Sequence, residues 1–296
     1  MKPVHHPKLT QRSHSYQKIG KKLLLFCLLL TLFIMILEIA GGIFSKSLAL
    51  LSDAGHLFTD FFALLSSFFA ILIVSTPANY QKTYGYFRAE ILVALLNGVL
   101  LIGVSIYLLI ESYLHFKNPH PIQSSIMFGV ALIGLLSNLI TAFLLHRVKG
   151  ENLNLRSAYI HLLSDTASSF GVIVGAILIY FTGWMKIDSI LSFIISLLIL
   201  FWASRLILDS IHILMESTPK HIQISELIES IKNEVKGIKE IHDLHIWEIT
   251  THMYAMTAHV IVEDCTILES MKTTEKINRL LAEKFHIEHV NLQYEC

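Results

Sequence analysis

Six apolar segments, near residues 22–45, 48–74, 90–113, 122–146, 158–181 and 188–214, fill the first two thirds of this chain. Each is long enough to cross the hydrocarbon layer of a bilayer, which takes about 20 apolar residues as an α-helix. Hydrocarbon offers no water to backbone N–H and C=O groups, so a span must satisfy them internally, as a helix does. The composition agrees: 53% of the 296 residues are hydrophobic and 16% are charged, against about 25% charged in a soluble domain. The breaks carry polar or turn residues, such as Ser45-Lys46-Ser47, Thr76-Pro77-Ala78-Asn79, Lys117-Asn118-Pro119-His120-Pro121 and Thr182-Gly183-Trp184. Such short links make consecutive helices antiparallel neighbours.

Lysine and arginine in short loops set the orientation. A basic stretch of residues 1–21 (Lys2, Lys8, Arg12, Lys18, Lys21, with His5, His6 and His14) precedes the first segment, and Lys22 opens it. This stretch, the second loop (Lys82, Arg88) and the fourth loop (Arg147, Lys149, Arg156) fall on one side. The other loops hold only Lys46, Lys117 and Lys186. The more basic side faces the cytosol, so both termini are expected there. Formal net charge is zero and no long basic run occurs, which argues against nucleic acid as a partner. The cysteines, Cys27, Cys265 and Cys296, form no CxxC pair and suggest no disulfide framework.

Beyond residue 215 the pattern changes. Pro219 closes the last segment, and Ile224, Leu227, Ile228, Ile231 and Val235 then recur at helical spacing over residues 223–236. Residues 241–249 and 254–263 read as strands, 267–285 as a second amphipathic helix and 287–294 as a last strand. The expected fold is thus an all-α membrane domain of six transmembrane helices (22–214), followed by a small α+β domain of order αββαβ (215–296) with an antiparallel or mixed sheet.

Two stretches within the apolar segments carry ionisable residues. In Leu50-Leu51-Ser52-Asp53-Ala54-Gly55-His56-Leu57-Phe58-Thr59-Asp60 and Ala158-Tyr159-Ile160-His161-Leu162-Leu163-Ser164-Asp165, a histidine precedes an aspartate by four positions. On a helix that spacing puts both side chains on one face, about 6 Å apart along the axis. Ionisable residues are costly in a membrane and mark function by default. His56, Asp60, His161 and Asp165 together supply two imidazoles and two carboxylates, a donor set suited to one tetrahedral zinc. Two aspartates balance the charge of a divalent cation. Without metal they repel one another, and protons take its place. Competition between metal and proton for the same atoms is the physical basis of antiport.

The string Leu-Leu-Ser-Asp occurs at 50–53 and at 162–165, but chemistry pairs Asp60, not Asp53, with Asp165. Asp53 stands beside the site rather than in it. Glu38, Glu90, Asn97, Glu111, Asn138 and Asp209 also lie in or at the ends of segments, where pairing between helices or at interfaces is the ordinary role. Glu38 is the most deeply placed. In the C-terminal part, His242, His259 and Glu295 form a candidate cytosolic metal site, and His245 would lie near His259 if the two strands form a hairpin.

These residues bring a family into view. Residues Ser47 to Asp60, the stretch Tyr84-Gly85-Tyr86-Phe87-Arg88-Ala89-Glu90-Ile91-Leu92, residues Asn152 to Asp165, and His242-Asp243-Leu244-His245-Ile246-Trp247 resemble the second-span, third-span, fifth-span and cytosolic signatures of the cation diffusion facilitators. The resemblance is to their bacterial zinc, cadmium and cobalt efflux branch, itself similar to vesicular zinc transporters. It implies six spans, a homodimer, a copper-chaperone-like cytosolic domain and proton-coupled export of zinc, with His56, Asp60, His161 and Asp165 binding the transported ion. It also implies a regulatory metal at His242, His259 and Glu295, to which Cys296 would add a ligand. The second loop, Ala78 to Phe87, lacks histidine and aspartate, and the fourth loop is short and poor in histidine. The first departure argues against a loop metal site, and the second favours a bacterial cytoplasmic membrane. Two other readings of the same donors are a membrane enzyme that activates water on the metal and a sensor that binds without transport. An enzyme would need an open metal position and a nearby general base, which four paired ligands do not leave.

Overall fold

A computed structural model describes residues 21–74, 80–148, 153–263 and 266–295. The basic tail with His5, His6 and His14 falls outside them, as do Cys265 and Cys296. Six long helices come first: α1 (Lys21–Ser45), α2 (Leu48–Val74), α3 (Arg88–Lys117), α4 (Ser124–Val148), α5 (Leu153–Thr182) and α6 (Lys186–Leu214). Then follow α7 (Ile224–Glu234), β1 (Ile238–Thr250), β2 (Met253–Val262), α8 (Ile267–Lys284) and β3 (Ile287–Glu295). The chain forms two compact units, Ile19–Phe69 with Val93–Ile207, and Ala70–Leu92 with Leu208–Cys296.

In the helical unit α4 packs on both α1 and α5. Among the described residues three helical stretches are long and apolar enough to cross a membrane: Leu28–Ser45, Arg88–Lys117 and Lys186–Leu214. Ser124–Ile140 and Ser168–Thr182 are shorter apolar helices. Phe33, Ile43, Phe44, Tyr107, Phe181 and Trp202 are exposed on the outside of the unit, as befits a surface solvated by lipid rather than water. The inside is small and polar as well as apolar. A Cβ on Gly41 would lie 2.7 Å from Val130, and one on Gly175 would collide with Leu191. Small residues let membrane helices approach closely and gain packing contacts.

The α1–α2 corner shows how local chemistry reverses the chain. Lys46 takes a left-handed φ of 57°, and Ser47 N–H donates back to Gly42 O at 3.0 Å, closing α1. Ser47 then caps α2, its Oγ accepting from Leu50 N–H at 3.1 Å. The Asp188 carboxylate, in the first turn of α6, accepts from Ser47 Oγ, from Leu48 N–H at 2.8 Å and from Ala49 N–H at 3.2 Å. An anion at the positive end of a helix is favourable, and here it ties α6 to the start of α2. Ser52 of α2 and Ser112 of α3 both bond Ser192 of α6, at 2.8 Å and 2.7 Å.

In the second unit the element order αββαβ matches the sequence reading. The strand order is β1-β2-β3. β1 and β2 form an antiparallel hairpin, and β3 joins β2 in parallel, with α8 as the crossover that a parallel pair requires. Leu227 and Ile231 of α7 and Ile277, Leu280 and Leu281 of α8 are buried against Ile246, Met256, Ala258 and Ile287 of the sheet. A capping box starts α8: Thr266 accepts from Glu269 N–H, and Glu269 accepts from Thr266 N–H at 2.8 Å. The same unit holds the loop before α3. Arg88 pairs with Glu216 at 2.6 Å, Thr250 donates to Glu90 at 2.7 Å, and the Tyr84 and His289 rings meet edge to face.

Candidate metal centre

His56 and Asp60 stand on α2, and His161 and Asp165 on α5, each pair inside an unbroken helix. The i, i+4 spacing therefore puts each histidine and its aspartate on one helix face. His56 is half-buried. The side chains of Asp60, His161 and Asp165 lie outside the described residues. Asp53, three positions before His56, is 2% exposed and accepts hydrogen bonds from Ser168 at 2.7 Å and Ser169 at 3.0 Å. It thus links α2 directly to α5, the two helices that carry the motifs. Asn138 of α4 extends the link, donating to Ser169 at 3.4 Å.

The other polar residues of the apolar segments mostly have the ordinary partners expected of them. Glu90 meets Thr250, Glu111 meets His115 at 3.3 Å, and Asp209 meets Lys220 at 2.6 Å. Asn97 and Glu38 differ: among the described residues the buried Asn97 Oδ1 has no hydrogen-bond partner, nor has either carboxylate oxygen of the fully buried Glu38. Asp188 does not stand out in the sequence, because it sits at the edge of an apolar run. Its signal was Ser47, a capping residue whose helix lacks any acidic group in its first turn.

In the sheet domain His242, His259 and Glu295 converge from three adjacent strands. Their ligand atoms all lie within 4.8 Å of one another. His242 is paired with His259 across the hairpin, and Glu295 with Ile261 across the parallel pair. Side chains two apart on a strand share a face, so Glu295 reaches His259. His242 Nε2 lies 3.0 Å from Glu295 Oε2, and His259 Nδ1 2.8 Å from Glu295 Oε1. Ligands about 2 Å from a tetrahedral zinc are separated by roughly 3.3 Å, so these donors fit such an ion. Partial burial pushes the Glu295 carboxyl up, but the His242 hydrogen bond and the charges of His259 and His242 outweigh it and hold the group below the ordinary glutamate range.

The register pairs His259 with His242, not His245, because β1 bulges between them. His245 instead stands opposite Thr257. Asp243, at a left-handed φ of 46°, occupies the bulge. Its carboxylate lies 3.0 Å from His245 Nε2 and 3.5 Å from His259 Nε2. Sequence periodicity missed this aspartate, since a bulge breaks the two-residue alternation on which strand reading depends.

Apolar helices followed by a small mixed-sheet domain in which three metal-type donors converge define a membrane protein with a separate sheet domain. Residues 24–215 match the family model described as the cation efflux transmembrane domain, and residues 219–296 the cation efflux protein cytoplasmic domain. The chain belongs to the cation efflux family, and it is a transport protein rather than an enzyme. It is 41% identical over 283 residues to the metal cation efflux system protein CzcD of Cupriavidus metallidurans, covering 96% of this chain and 89% of that one. It is 42% identical over 281 residues to the cadmium, cobalt and zinc/H(+)-K(+) antiporter of Bacillus subtilis, covering 93% and 89%. The zinc transporter ZitB of Escherichia coli is 35% identical over 284 residues, covering 96% and 90%. Among solved structures, the metal-bound C-terminal domain of the CzcD transporter shows 33% identity over 25% of this chain and 100% of that one, with a TM-score of 0.23.

Proposed function

We propose that this protein exports divalent metal ions, zinc foremost, from the cytosol in exchange for protons, by alternating access in a homodimer. The helical unit supplies six spans in this reading, and both termini face the cytosol of a bacterium. The observation that carries it is the His-x-x-x-Asp pair set twice in continuous helices that Asp53 ties together. Helices that alternate in direction make α2 and α5 antiparallel. From the Asp53–Ser168 contact, three residues onward along α2 and three back along α5 bring His56 level with Asp165. Seven steps each way bring Asp60 level with His161. Two levels about one helical turn apart then offer four donors to a single ion held between them.

The charge balance then supplies the exchange. A divalent cation neutralises Asp60 and Asp165, and after its release the two carboxylates repel until protons neutralise them. The metal is therefore drawn in where protons are scarce and displaced where they are abundant. The names of the zinc-transporting and antiporting relatives support the same cargo and the same coupling. The second loop and the C-terminal domain share one compact unit, and the Arg88–Glu216 and Glu90–Thr250 contacts support placing both on the cytosolic side. His242, His259 and Glu295 would hold a second, regulatory metal, most suitably zinc. The test is flux in reconstituted vesicles. Zinc should accumulate in vesicles made acidic inside, driven by protons leaving down their gradient. Zinc binding without flux would instead mark a sensor.

A further inference from the structure

We propose that Glu38 is a proton-carrying group of this transporter, separate from the His/Asp metal site. The inference rests on the proton-coupled reading above. Glu38 lies in the middle of α1 and is 0% exposed. Among the described residues neither of its carboxylate oxygens has a hydrogen-bond partner. An ionised carboxylate so placed would bear the full cost of desolvation, several kcal/mol or more, with nothing to offset it. The one titratable group acting on it from a neighbouring helix, among the described residues, is Asp53 of α2, a second acid. Among the described residues no lysine, arginine or histidine acts on it to stabilise a negative charge. Two acids sharing a buried site do not both ionise readily.

The surroundings are shaped for the group. Gly134 of α4 faces it, and a Cβ there would collide with Glu38 Oε1. One helical turn further along α4, Asn138 bonds Ser169, which bonds Asp53. α1 thus presents a buried acid to a polar seam running through α4 and α5 to α2, and that seam ends three residues from His56. When metal enters the site, Glu38 gives up its proton to cytosolic water, one neutral acid becoming one carboxylate plus one proton. It regains a proton from the opposite side after the metal leaves. The aspartate pair alone does not account for this proton, since Glu38 lies on a helix that carries neither metal motif.

The experiment measures proton and zinc fluxes together in vesicles holding the full chain, wild type and Glu38→Gln, with a pH-sensitive dye inside. Wild type should move protons against zinc. Glu38→Gln should still bind zinc at the transport site, but its proton-to-zinc ratio should fall by about one, and its flux should respond less to the pH gradient. Equal ratios in the two proteins would overturn the inference and leave the coupled reading standing. No proton movement in wild type would sink the coupled reading itself. Loss of zinc binding in a folded Glu38→Gln would also overturn the inference, by making Glu38 a metal ligand. If that variant does not fold, infrared difference spectra of wild type and Glu38→Asp decide: a protonated-carboxyl band should vanish on zinc addition and shift in the variant. A band the substitution leaves unshifted would exclude Glu38.

Discussion

At the scale of single residues, position on an element decides what each ionisable group does. His242, His259 and Glu295 come from three strands, and the order of the sheet brings them together. His259→Ala removes the donor that touches both Glu295 and Asp243. Zinc affinity at this site should fall at least about tenfold, or 1.4 kcal/mol, as read by calorimetry on the full chain, with the transport site still titrating. Asp53 shows the other case. Its Leu-Leu-Ser-Asp string invites pairing with Asp165, yet the structure bonds it to Ser168 and Ser169. Helical spacing from the histidines made that distinction legible in the sequence. The sequence shows Asp243 only as part of the cytosolic signature, and its contacts with His245 and His259 follow from a bulge that periodicity does not show.

Elements are held by their ends. Asp188 accepts three hydrogen bonds at the start of α2 while sitting on α6. Replacing a buried partner leaves the remaining donors unsatisfied, at about 1–3 kcal/mol. Asp188→Ala should therefore lower the melting temperature of detergent-purified protein clearly more than Asp209→Ala, whose partner Lys220 is exposed. In α8, the hydrogen bonds from the Thr266 backbone and side chain lower the Glu269 pKa. A depressed carboxyl stabilises the fold above its unfolded pKa, about 4.3, and that stability is lost as pH falls through the lowered folded value. Unfolding scans between about pH 6 and pH 3 should show Glu269→Gln less stable than wild type at the upper end and the gap closing at the lower. Thr266→Ala should cost about 0.5–2 kcal/mol. Helix and strand existence was readable from period alone, whereas several ends were not. α5 starts at Leu153 rather than near 158, and β1 at Ile238 rather than 241, because polar residues extend both elements past their apolar stretch.

For the whole molecule, the two units divide the labour of the family: a lipid-facing bundle for passage, and a sheet domain that gathers metal donors. Apolar run length gave the bundle, and the shift to amphipathic periods after Pro219 gave the sheet domain. What sequence could not supply was the bundle's polar interior. The Ser52–Ser192–Ser112 bonds and the burial of the Glu38 carboxyl depend on which helices are neighbours, and apolar periodicity in lipid says little about that. If both termini lie in the cytosol, cysteines introduced at Ser13 and Glu283 should resist a membrane-impermeant thiol reagent in intact cells, and one at Lys117 should react. Labelling at Ser13 with protection at Lys117 would contradict the orientation.

The central claim is that the paired histidines and aspartates carry the ion. The most direct measurement is zinc flux in vesicles of equal protein content, wild type against Asp60→Ala. The account predicts that the variant folds, retains the sheet-domain metal site and loses zinc transport to background. Undiminished zinc flux in Asp60→Ala would contradict it.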